Sequence, residues 1–87
     1  MKKNPNKNKK ILKHLGINIK FYRNKLDITQ EQLAELVDAE RSYISALESG
    51  SKSPSLYFLC ELAQALKIQL KDLNTEPSLE RASSARL

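Results

Sequence analysis

One cysteine, two glycines, three prolines and no tryptophan occur among 87 residues. A single Cys cannot close an intrachain disulfide, and with a single His it cannot supply the four ligands of a structural zinc. Neither a metal nor a cofactor is expected, and the cysteine usage fits a reducing, cytoplasmic compartment. The chain has no Ser/His/Asp set, no paired carboxylates on a rigid framework and no glycine loop to cradle phosphate, which speaks against an enzyme. Without an 18-residue apolar segment nothing is expected to span a membrane. No apolar stretch follows the N-terminal lysines, as a signal peptide would require. Scarce turn formers and scattered β-branched residues make all-α the expected class. At this length one small domain is expected, burying only a little over about 60% of its unfolded surface.

Acid is missing altogether from the first 25 residues, which carry eight Lys and one Arg, or +9. The remainder holds six basic and ten acidic side chains, or −4, so the net +5 is the sum of two opposed regions. Residues 1–10, with no apolar side chain after Met1, read as a disordered basic arm able to grip phosphates. Residues 11–74 read as the folded domain and 75–87 as a loose tail, in which Leu79, Ala82 and Arg86 could share the face of a short helix.

From Leu15 the positions Leu15, Ile19, Tyr22 and Leu26 recur at helical spacing and predict a first helix of about three turns. Thr29 and Gln32 have the spacing of a capping box. Behind them Leu33, Ala34, Leu36 and Val37 form a short amphipathic helix ending near Asp38. A second short helix is predicted from Glu40 to Ser49, with Ile44 and Leu47 inward and Gly50 as its left-handed terminator. Pro54 and Ser55 open a further helix with Leu56, Leu59, Leu62, Ala63 and Leu66 on one face. A last turn from Leu70 to Leu73 brings Ile68 and Leu73 to the same core.

Two short helices joined by a tight turn, over about 29–49, have the pattern of a helix-turn-helix, whose second helix enters a DNA major groove. The stretch containing Ile28-Thr29-Gln30, Leu33-Ala34, Arg41-Ser42-Tyr43-Ile44-Ser45, Leu47-Glu48, Gly50, Pro54-Ser55-Leu56 and Leu62-Ala63 resembles the Cro/phage-repressor (Xre) class of transcription regulators. Within that class it looks closest to small stand-alone members such as restriction–modification controller proteins. The resemblance implies a five-helix, lambda-repressor-like domain that binds double-stranded DNA as a homodimer. Where the class usually has Gly after helices one, two and four, this chain has Asp27, Asp38 and Lys67. Where it has a short polar N-cap before the recognition helix, this chain has Glu40.

The resemblance also implies residue roles. Arg41, in the first turn of the recognition helix, can donate two bonds to guanine. Ser42 and Ser45 share its side, Ala46 offers only a methyl group to thymine, and Glu40 must turn to a cytosine amino group or to Arg41. Tyr43 either faces DNA or packs back on the preceding helix. Gln30, Lys52, Ser53 and Tyr57 are the expected phosphate contacts, and Phe58 the expected subunit contact. Arg23 and Glu48 are expected to pair and brace the recognition helix. Cys60 reads as a core-edge residue and His14 as a solvated residue before the first helix. A different reading of the same fold is an antitoxin-like module that grips a protein partner.

Overall fold

Gly16 sets how closely the two central helices approach. A Cβ built on it would lie 2.4 Å from the Glu48 carbonyl oxygen and 2.6 Å from that of Leu47. Gly16 belongs to α1 (Pro5–Lys25) and the two carbonyls to α3 (Arg41–Ser49). The computed structural model describes residues 5–77, with side chains from Lys9 onward. Its other elements are α2 (Gln30–Leu36), α4 (Leu56–Leu66) and α5 (Leu70–Asn74), and the described residues contain no strand. The expected all-α, five-helix architecture is what the chain adopts.

The helix α3 lies at the centre, packed on one side by α1 and on another by α2, while α5 closes against α1 and α4. Leu15, Ile19, Leu33, Ala34, Val37, Ile44, Leu47, Leu62, Ala63, Leu66 and Leu73 form one core. Asn18 is fully buried within it. Its amide donates to the Leu73 and Thr75 carbonyls at 2.8 and 2.7 Å, so the end of α5 is satisfied without water. No buried side-chain nitrogen or oxygen among the described residues lacks a hydrogen-bond partner.

Four helices end the same way. Asp27, Asp38, Gly50 and Lys67 have φ of 57°, 53°, 80° and 59°. After each, the following amide reaches back to close the last turn: Ile28 to Arg23 O, Ala39 to Ala34 O, Ser51 to Ala46 O and Ile68 to Ala63 O. These are Schellman terminations, three of them built without the glycine that left-handed backbone favours.

Several expectations are corrected. The first helix starts at Pro5, so residues 5–10, read as part of a disordered arm, are helical. Once Leu15 and Ile19 anchor a helix, each added residue costs little, and Pro suits a first helical position. His14 is therefore inside α1 rather than before it. Leu36 and Leu56, placed on core faces by spacing, are 61% and 67% exposed because each sits at a helix end. Cys60, read as core-edge, is exposed. The segment 78–87, including the suggested Leu79/Ala82/Arg86 face, lies outside the described residues.

Candidate nucleic-acid interface

The α2–α3 unit is organised by local chemistry at its entrance. Thr29 Oγ1 accepts from the Gln32 amide at 3.0 Å, and Gln32 Oε1 accepts from the Thr29 amide at 2.8 Å. This is a complete capping box, and it fixes where α2 begins. The α3 helix begins without such help. Glu40 occupies its N-cap with extended backbone, and its side chain makes no capping bond. The exposed Glu40 carboxylate is thus free to turn.

Arg41, Ser42 and Ser45 are all exposed, and at 100° per residue they fall within one arc of α3, opposite buried Ile44 and Leu47. Ala46 is half-buried at the edge of that arc. Its carbonyl accepts from the Ser51 amide and from the hydroxyls of Ser49 and Ser51, which locks the end of α3. Tyr43 is half-buried and meets Phe58 of α4 edge to face, with centroids 5.2 Å apart. The contact makes α4 one packing partner of Tyr43 and leaves Phe58 half-buried.

The ring contact also places the start of α4 beside the first turn of α3. The chain from Gly50 to Ser55 must therefore run back along α3 toward its N-terminal end, carrying exposed Lys52 and Ser53 with it. Ser55 then caps α4 by accepting from the Phe58 amide at 3.1 Å. Tyr57 is 75% exposed. A hydrogen bond to Glu61 one turn on, and the negative charge of that carboxylate, hold its phenol above the ordinary tyrosine pKa.

Two turns beyond Arg41 on α3 sits the brace. Arg23 Nε and Nη2 donate to the two Glu48 oxygens at 2.7 and 3.1 Å, and Arg23 Nη1 donates to the Ile28 carbonyl at 2.8 Å. The pair is largely buried, with side-chain exposures of 10% and 4%. Gln30 Nε2 adds a bond to Glu48 Oε1 at 3.0 Å. One guanidinium thus ties the end of α1, the α1–α2 loop and α3 together, and one amide hydrogen of Gln30 is committed inward. Sequence reasoning missed Gly16 and Asn18, which hold α1 on α3 and α5.

Among the described residues no group of three or more His, Cys, Asp or Glu side chains could hold a metal ion. No helix among the described residues is long and apolar enough to cross a membrane. A capped α2, a tight turn and an α3 with a polar outer arc and a braced last turn form a helix-turn-helix, and the family model described as Helix-turn-helix matches residues 19–73. The chain belongs to this family, the Xre/Cro type of DNA-binding transcription regulator. It is 36% identical over 66 residues to the control protein C.SmaI of Serratia marcescens, covering 76% of this chain and 79% of that one. It is 37% identical to the immunity repressor protein of Bacillus phage phi105, across 82% of this chain and 49% of the repressor. The restriction-modification controller protein C.AhdI from Aeromonas hydrophila has a similar fold, with TM-score 0.69 and 34% identity over 71% of this chain and 90% of that structure. The resemblance to the Xre class and its controller proteins is thus reproduced by independent comparison.

Proposed function

We propose that this helix-turn-helix regulator is a sequence-specific, cytoplasmic repressor or autoregulator that binds a palindromic operator as a homodimer. The observation that carries the reading is the exposed arc of Arg41, Ser42 and Ser45 on a recognition helix whose C-terminal turn is fixed by the Arg23–Glu48 pair. In this reading Arg41 reads guanine, and Ser42 and Ser45 bond base edges or phosphate. Ala46 meets a thymine methyl, and Glu40 either accepts from cytosine or orients Arg41. The Tyr43 ring supports α3 while its hydroxyl reaches the DNA edge. Lys52 and Ser53 grip one strand's phosphates, and Gln30 the other through its second amide hydrogen. Tyr57 and Leu56, large, apolar and exposed side by side on α4, supply the subunit surface more readily than a phosphate contact. Two recognition helices would then enter major grooves about 34 Å apart.

Selection from randomised duplex DNA tests this directly. Enrichment of a palindrome with half-sites one helical turn apart is the expected result; binding that stays uniform over all sequences would refute sequence-specific regulation. In the enriched site, Arg41→Ala should relax preference at one position per half-site by about 1–3 kcal/mol. A protein-binding module would instead give no enriched duplex.

A further inference from the structure

The first half of α1 and the groove it forms with α5 have no part in the interface described above. Lys13 abuts the far end of α3, since a Cβ on Gly50 would lie 3.2 Å from the Lys13 Cα. Arg41 lies nine residues before Gly50, about 13 Å away along the helix. The exposed lysines Lys9, Lys10 and Lys13 therefore gather at the end of α3 opposite its base-reading turn. Between this part of α1 and α5 lies a groove of about 310 Å³ lined by Ile11, His14, Leu15, Leu73 and Asn74. Ile11 is 54% exposed at its mouth. Lys10 stands one turn before His14 on α1, and Lys71 stands one turn before Asn74 on α5, so exposed cations flank the apolar floor from both helices. The neighbouring acids offset them little. The Asp72 carboxylate turns back to the Gln69 amide at 2.9 Å, and exposed Glu76 lies beyond the end of α5.

We propose that this groove docks an acidic, apolar segment of a partner protein, and that it does so while α3 is on DNA; only that simultaneity rests on the DNA-binding reading. An apolar floor does nothing for a phosphate backbone, and no Phe, Tyr or Trp lines the groove to stack a base. Aliphatic side chains on the floor and carboxylates on the lysine rim satisfy both halves of the surface. The volume, at the small end for small-molecule sites, suits one or two side chains of a peptide.

The test titrates the full chain, isotope-labelled, with a short synthetic helical peptide carrying Leu at i, i+3 and i+4 and Glu on its flanks. A scrambled peptide of the same composition is the control. Saturable shifts confined to Ile11, His14, Leu73 and Asn74 are expected. They should weaken at least tenfold in Ile11→Asp and in the Lys10→Glu/Lys71→Glu pair, two surface changes whose folding is checked by thermal melting. Duplex DNA added first should leave the peptide affinity within about twofold. Equal binding of the scrambled peptide, shifts centred on Arg41 to Ser45, or no saturable shift up to about 1 mM would overturn the docking site. Mutual exclusion of peptide and duplex would overturn the simultaneity alone, and a failure of sequence selection by the duplex leaves the groove result standing.

Discussion

Glu48→Ala isolates what the brace contributes. The substitution removes both acceptors of Arg23 Nε and Nη2 together with the acceptor of the Gln30 amide. The Arg23 side chain left behind is 10% exposed and keeps only the Ile28 carbonyl. Stranding a buried charge in this way costs about 3–5 kcal/mol. Small domains are stable by about 5–15 kcal/mol in total, so this loss is a large fraction of the whole. At roughly 4–8 °C per kcal/mol the melting temperature should fall by roughly 12–40 °C, read by thermal circular dichroism and checked by urea unfolding. Replacing both partners by apolar residues of similar size, Arg23→Met with Glu48→Leu, removes the uncompensated charge along with the pair. The double variant should therefore melt well above Glu48→Ala, with a clear coupling in the double-mutant cycle. Burial also predicts that the loss persists at about 1 M salt, where an exposed pair would be screened to nothing. A Glu48→Ala variant melting within about 3 °C of wild type, or a cycle with no coupling, would refute the account of Arg23 as a buried, dependent cation.

Lys67→Gly should raise the melting temperature by more than Asp27→Gly or Asp38→Gly. Left-handed backbone costs a residue with a long side chain about 1–2 kcal/mol, and Asp less; a fall for all three would mean these turns draw on their side chains. Gly16→Ala should destabilise by about 1–2 kcal/mol, although helix propensity alone predicts a gain of about 1, because a methyl 2.4 Å from a carbonyl oxygen must push α1 off α3. A melting temperature above wild type would show that the helices separate freely. Affinity for the selected duplex should fall with salt at a log–log slope no steeper than about −4, from roughly two cationic contacts on each of two subunits; a slope near −8 would bring the α1 lysines into the grip.

The elements legible in the sequence are those whose cause is local. Thr29 and Gln32 specify a helix start by their own side chains, and Gly50 specifies an end by its own backbone freedom, so both emerge where spacing placed them. The Arg23–Glu48 pair, 25 residues apart, followed from resemblance alone. Gly16 was invisible for the opposite reason. Inside a helical pattern it reads as a small propensity penalty, and its value depends on two carbonyls more than 30 residues away. Asn18 reads as a polar interruption until α5 arrives to present the Leu73 and Thr75 carbonyls. Leu36 and Leu56 show the limit of the helical wheel, which assigns a direction to each side chain but cannot say that the residue lies at the end of its own helix.

The charge pattern, split between a basic α1 and an acidic remainder, bears on what a second subunit would add on the proposed reading. At α3 the nominal charges are Arg41 against Glu40 and Glu48, but Glu48 is largely buried and matched by Arg23. What remains at the base-reading end is Arg41, opposed by a Glu40 that makes no capping bond, with Lys52 alongside. So few cations make a weak electrostatic hold for one subunit, whatever the overall +5 suggests. Specific binding on the proposed reading then depends on doubling the base and phosphate contacts across a palindrome, and occupancy rises with roughly the square of the free chain concentration below the dimerisation threshold. On that reading the regulator responds steeply to its own abundance.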